Sequence, residues 1–133
     1  MQAFRDAMEA ARAGGDVAGV VALLAEDVVF RSPVVYAPYH GRAAVEPVLL
    51  AVARVFDEFG FVRQIGEPGG SDHALVFRGR IGERDVEGCD FVHTNDDGLI
   101  DEFYVMLRPL SGAVALAEAM RNQLALLESG RAV

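Results

Sequence analysis

The chain contains no lysine: its 12 basic residues are all arginine, set against 20 acidic ones for a formal net charge of −8. We read the missing lysine as codon bias of a GC-rich genome. The acidic balance and the lack of a basic patch argue against nucleic acid as a partner. There is no tryptophan and a single cysteine, Cys89. One cysteine excludes an intrachain disulfide and any zinc site built from cysteines. The three histidines, His40, His73 and His93, are scattered, which argues against a metal site. No cofactor is implied. No apolar run is long enough to span a bilayer, and the N-terminus lacks the basic start and apolar stretch of a signal peptide. The expected compartment is the cytoplasm, with no membrane partner.

What is present is an ordinary globular composition, 52% hydrophobic and 24% charged over 133 residues. That length suits one domain, residues 1–133, with a real core. Phe4, Ala7, Met8 and Ala11 recur at helical spacing, which predicts a helix over 3–13 that Gly14-Gly15 ends. Asp16 is a good cap for a short second helix carrying Val17, Val20, Val21 and Leu24. Val28-Val29-Phe30-Arg31 reads as a strand, and Ser32 to Gly41 as an irregular loop. The clearest helix is 43–59, with Val45, Val48, Leu49, Val52, Val55, Phe56 and Phe59 on one stripe. From Phe61 the period becomes alternating. Strands are predicted at 61–67, 72–82, 85–95 and 99–108, separated by turn formers at Pro68-Gly69-Gly70, Gly82-Glu83 and Asp97-Gly98. A last helix spans 112–128, with Leu116, Met120, Leu124 and Leu127 on one side. Helices followed by a meander indicate an α+β fold.

One acid sits in apolar company. Strand alternation puts Asp90 on the same face as Val86, Gly88 and Val92. With Asp97-Gly98 and Gly82-Glu83 as two-residue turns, Asp90 faces Val105 on one side and Leu75 on the other. Phe77 and Phe103 share that face. Such a carboxylate must find a partner or stay protonated. A pocket acid and a structurally bonded acid are both open readings. The opposite face carries Arg78, Arg80, Glu87, Cys89, Phe91, His93, Glu102, Tyr104, Met106 and Arg108. In the same register Glu87 opposes Arg108 and His93 opposes Glu102, as cross-strand charge pairs. This amphipathic face predicts a homodimer.

Ala13-Gly14-Gly15-Asp16, Leu23 through Phe30, His40-Gly41-Arg42-Ala43-Ala44-Val45 and Asp97-Gly98-Leu99-Ile100 come in an order and spacing that resembles the NTF2-like superfamily. The resemblance is to its SnoaL-like, ketosteroid-isomerase-like branch. It implies a cone: a curved antiparallel sheet wrapped around the long helix, with added N- and C-terminal helices. It also implies a pocket between sheet and helix, and dimers formed through the outer sheet face. Asp90 stands eight residues before Gly98, where ketosteroid isomerases hold the protonated acid of their oxyanion hole. Their base aspartate falls at Ser32, and their tyrosine falls at Met8. The epoxide-hydrolase-like branch needs two carboxylates and an arginine, and Val105 lies near one of those acidic positions.

Asp90 is therefore the candidate acid or oxyanion donor. His40, or a water held by Ser32, is the candidate base. The alternative readings, favoured for His40, are a loop histidine packed on Tyr36 or Tyr39 and, for Ser32, a turn residue before Pro33. The expected pocket is Met8, Tyr36, Tyr39, Phe56, Phe59, Leu75, Phe77, Phe103 and Val105. The expected ligand is a hydrophobic small molecule. Its chemistry would be proton transfer of isomerase, cyclase or dehydratase type on a carbonyl compound. The alternative is a non-catalytic dimeric binding module.

Overall fold

The computed structural model describes residues 1–131. The one-domain expectation over 1–133 includes Ala132 and Val133, which lie outside the described residues. Four helices and six strands follow one another as α1 (Gln2–Gly14), α2 (Ala18–Val21), β1 (Leu24–Arg31), β2 (Tyr39–His40), α3 (Arg42–Val55), β3 (Asp57–Ile65), β4 (Asp72–Ile81), β5 (Arg84–Thr94), β6 (Ile100–Arg108) and α4 (Leu110–Arg131). The strands form one sheet in the order β2-β1-β6-β5-β4-β3. All neighbours are antiparallel except β1 and β6, which run parallel. The fold is α+β, and the helices lie against the inner sheet face.

Helix α1 buries Phe4, Met8 and Ala11, and it ends where Gly15 adopts φ 73° and its N–H returns to the Ala11 carbonyl. Asp16 caps the next turn through the Ala18 N–H at 2.9 Å. The chain then extends sooner than its helical spacing predicts. Leu24 already belongs to β1, because it pairs with Ile100.

Helix α3 also stops early. Residues 57–59 were expected to be helical, yet Asp57 pairs with Arg80 and Gly60 with Arg78 at the start of β3. Glu58 takes φ 52°, an uncommon conformation for a residue with a side chain. The ladder is irregular between Asp57 and Gly60, so Phe56 and Phe59 both turn inward although three positions apart. That spacing reads as helical in sequence. Pairing with β4 overrides it.

The β4–β5 hairpin has the expected register, with Ile81 opposite Arg84 and Leu75 opposite Asp90. The β5–β6 connection differs from a two-residue turn. Asn95, not Asp96, faces Leu99, and Gly98 at φ 77° returns its N–H to the Asn95 carbonyl. The Asn95 side chain accepts from the Asp97 and Leu99 N–H groups at 3.0 Å each. A bulge follows at Asp101, since Thr94 pairs with Ile100 while His93 pairs with Glu102. The extra residue restores the expected register, and Asp90 faces Val105.

His73, expected at the surface, is buried, with Nε2 2.8 Å from the Gly70 carbonyl oxygen. Helix α4 packs on α3 and the inner sides of β4–β6. A Cβ at Gly112 would meet Val86 Cγ1 at 2.4 Å, so glycine lets the helix dock closely. Among the described residues no helix covers the outer sheet face, and Phe91 and Met106 are exposed.

Candidate functional site

Asp90 lies inside the cone. It is 3% exposed, and its Oδ2 is buried without a hydrogen-bond partner. Burial alone pushes its carboxyl from the ordinary 3.8 up to about 8. At neutral pH the group is therefore mainly a neutral acid, able to donate one hydrogen bond.

The cavity beside it is lined by Met8 from α1, Leu49 and Val52 from α3, and the rings of Phe30, Phe56, Phe59, Phe77 and Phe103. Val105 and Leu107 from β6 and Leu116 from α4 complete it, with Pro33 at the edge. The space between these atoms is about 430 Å³, partly continuous with solvent. Only about 40 Å³ of it admits the centre of a water-sized molecule. The aromatic walls are braced edge to face: Phe56 on Phe77 at 5.8 Å, and Phe30 on Phe103 at 5.1 Å between ring centres. Glycine makes room for one wall. A Cβ at Gly88 would lie 2.6 Å from Phe77 Cζ and 2.4 Å from the Met106 carbonyl oxygen.

A lone acid opposite such walls can orient a ligand by one oxygen while the rings exclude water. Among the described residues no other titratable side chain lines the cavity. Among the described residues no group of three or more His, Cys, Asp or Glu could hold a metal ion.

A family model for the SnoaL-like domain matches residues 2–103. The chain belongs to the SnoaL-like family. Among solved structures, this SnoaL-like protein is similar to a steroid delta-isomerase from Pseudomonas aeruginosa: 39% identity, 96% of each chain covered, TM-score 0.83. It is also similar to a cystatin-like-fold protein from Silicibacter pomeroyi DSS-3: 41% identity, 92% of this chain and 86% of that one, TM-score 0.83. A de novo designed protein with a curved β-sheet shares the fold at 13% identity, with 91% and 96% of the chains covered and a TM-score of 0.68. No curated protein sequence matches. The family match ends at Phe103, so Val105, Leu107 and Leu116 line the cavity from outside the matched segment.

The SnoaL-like cone brings Met8, Phe56, Phe59, Phe77, Phe103 and Val105 to the Asp90 cavity. It leaves other expected residues elsewhere. His40 is exposed on β2, where it pairs with Val29. Ser32 does not line the cavity, because its Oγ accepts from the Val34 and Val35 N–H groups at 3.1 and 3.3 Å in a local turn. Tyr36 is fully exposed at the loop tip. Tyr39 packs its ring on Phe30 at 6.2 Å between ring centres and does not line the cavity. Leu75, directly opposite Asp90, is fully buried in the core and does not line the cavity.

The sequence reading did not include Phe30, Pro33, Leu49, Val52, Leu107 or the α4 residue Leu116 in the lining. Phe30 carried a signal, since it lies on a short apolar strand. Leu116 carried none for the cavity, because a helix stripe does not say which surface it covers.

The outer face holds a separate polar pair. His93 Nδ1 lies 2.5 Å from Asp101 Oδ1, so the bulge residue takes the place expected for Glu102. The Asp101 hydrogen bond is the main cause raising the His93 pKa above its ordinary 6.5, aided by Asp72 and Glu102. Glu102 instead stands 4.0 Å from Arg31. Glu87 contacts Arg108 and Arg78, which hold its carboxyl below the usual range. A wide, open groove, with about 890 Å³ of space between its atoms including open solvent, crosses this face beside Ala74, Phe91, Tyr104 and Met106. It is larger than the inner cavity but shallow and open to solvent.

Proposed function

We propose that the protein binds an apolar small molecule inside the cone, with Asp90 as a neutral acid donating a hydrogen bond to a carbonyl or phenolic oxygen. The observation that carries this is the unpartnered Asp90 carboxyl facing a cavity otherwise walled by apolar side chains. A neutral donor in a dry site stabilises developing negative charge on that oxygen far better than water does. The reaction class this serves is proton transfer next to a carbonyl, of isomerase, cyclase or dehydratase type. The similarity to a steroid delta-isomerase supports the same class. A second reading, a binding module without turnover, is favoured by one observation: the lining offers no base.

The test is the affinity for 2-naphthol of the wild type and of Asp90→Leu. A hydrogen bond in a dry site implies a loss of about tenfold or more in the variant. The wild-type affinity should also fall as pH passes about 8, where Asp90 ionises. Equal affinities would remove Asp90 from the site.

The outer face is the proposed homodimer surface. Phe91 and Met106 are exposed at its centre, and Tyr104 meets Phe91 edge to face at 6.4 Å between ring centres. Arg78 and Arg108 mark one end, and Asp101 and Glu102 the other. A two-fold axis through the centre sets opposite charges against each other.

A further inference from the structure

Arg12 lies one helical turn beyond Met8, on the same side of α1. Its Nη1 donates to the Ala53 carbonyl oxygen at 3.0 Å, among the last carbonyls of α3. That contact accounts for one donor as a helix cap. It leaves Nε buried without a partner. Among the described residues no carboxylate lies within ion-pair distance of Arg12.

A small void of about 10 Å³ opens beside Arg12. It shares Met8, Leu49, Val52, Phe56 and Phe59 with the Asp90 cavity, so side chains alone divide the two spaces. Met8 is unbranched and adapts readily. Phe59 is half-buried and follows the positive-φ residue Glu58. The interior thus has a donor at each end, one neutral and one cationic, with aromatic rings between. Since no buried acid compensates the guanidinium, an anion placed there gains a charge-assisted hydrogen bond.

We propose that Arg12 is the second polar end of the Asp90 site, which takes a flat apolar molecule with a hydroxyl or carbonyl oxygen at the Asp90 end and a carboxylate at the Arg12 end. This rests on the Asp90 cavity being a ligand site, as argued above.

The experiment compares 2-naphthol with 6-hydroxy-2-naphthoic acid by calorimetry near pH 6. The wild type should bind the acid about tenfold or more tightly than the naphthol. Arg12→Met, which keeps the apolar stem, should bring the acid down to the naphthol level. No preference in the wild type, or a preference that survives Arg12→Met, overturns the proposal. If Arg12→Met does not fold, the wild type still decides. Its Arg12 Nε–H resonance should move on binding the acid and stay in place with the naphthol, and an unmoved resonance overturns the proposal. Failure of 2-naphthol itself to bind through Asp90 would instead remove the underlying site. Naphthol binding without a gain from the carboxylate removes only the role of Arg12.

Discussion

Asp90 on β5 stands directly opposite Val105 on β6, so the buried acid meets an isopropyl group where an ion pair would need a cation. Its other cross-strand neighbour is Leu75. The folded protein therefore holds a proton that the unfolded chain releases. A raised carboxylate pKa leaves stability intact below about pH 3.8 and removes it progressively as pH climbs to about 8. At about 1.4 kcal/mol per pH unit, this one group can remove up to about 6 kcal/mol across that window. Asp90→Asn should abolish most of this slope. Urea unfolding at pH 4, 6 and 8 checks it: the variant should be the more stable protein at pH 8 and lose that advantage at pH 4. A variant less stable at pH 8 would identify an ionised, well-paired acid.

Gly88 keeps the floor of the cavity open to the Phe77 ring. Gly88→Ala places a methyl group against that ring and against the Met106 carbonyl oxygen. Overpacking of this kind costs about 1–3 kcal/mol. Denaturant midpoints of the two proteins measure it, and an unchanged midpoint would show that β5 and β6 yield easily.

Leu116 is 3% exposed and closes the cavity from α4. Leu116→Ala should cost about 2–5 kcal/mol of stability and widen the site. Affinity for bulkier phenols should rise relative to 2-naphthol. Unchanged size selectivity would show that α4 does not limit the site.

Much of this architecture is legible in the sequence because period-two alternation fixes a face once a turn fixes a register. Asp90 is assigned to its face on those grounds alone. The misreadings come from irregular backbone. Phe56 and Phe59 have helical spacing, and a bulge in a strand produces the same inward pairing. At Asn95–Leu99 the turn is one residue longer than read, and the bulge at Asp101 cancels the error for Asp90 while giving His93 a different partner. Loop residues fared worst. Ser32 and Tyr36 have suitable chemistry, but no periodicity says where a loop side chain points, and His40 belongs to a two-residue strand too short to show an alternation.

The His93–Asp101 pair predicts its own titration. Asp101→Asn should bring the His93 pKa down towards 6.5. The imidazole carbon shifts followed by NMR give the midpoint. An unmoved midpoint would mean that Asp72 and Glu102, not Asp101, hold the proton.

The outer-face dimer predicts that Phe91→Glu weakens association, since a charge then enters the apolar centre of the contact. Sedimentation at micromolar concentration should show a dimer for the wild type and a monomer for the variant. A monomeric wild type would contradict the dimer.

The measurement that bears most directly on the site is the carboxyl ¹³C NMR titration of Asp90 in the wild-type protein. The account predicts a midpoint near 8, carried by burial without a cationic partner, and a further rise when 2-naphthol binds and the neutral acid becomes its donor. A midpoint near 3.8, unmoved by 2-naphthol, would show a solvated or paired carboxylate and contradict it.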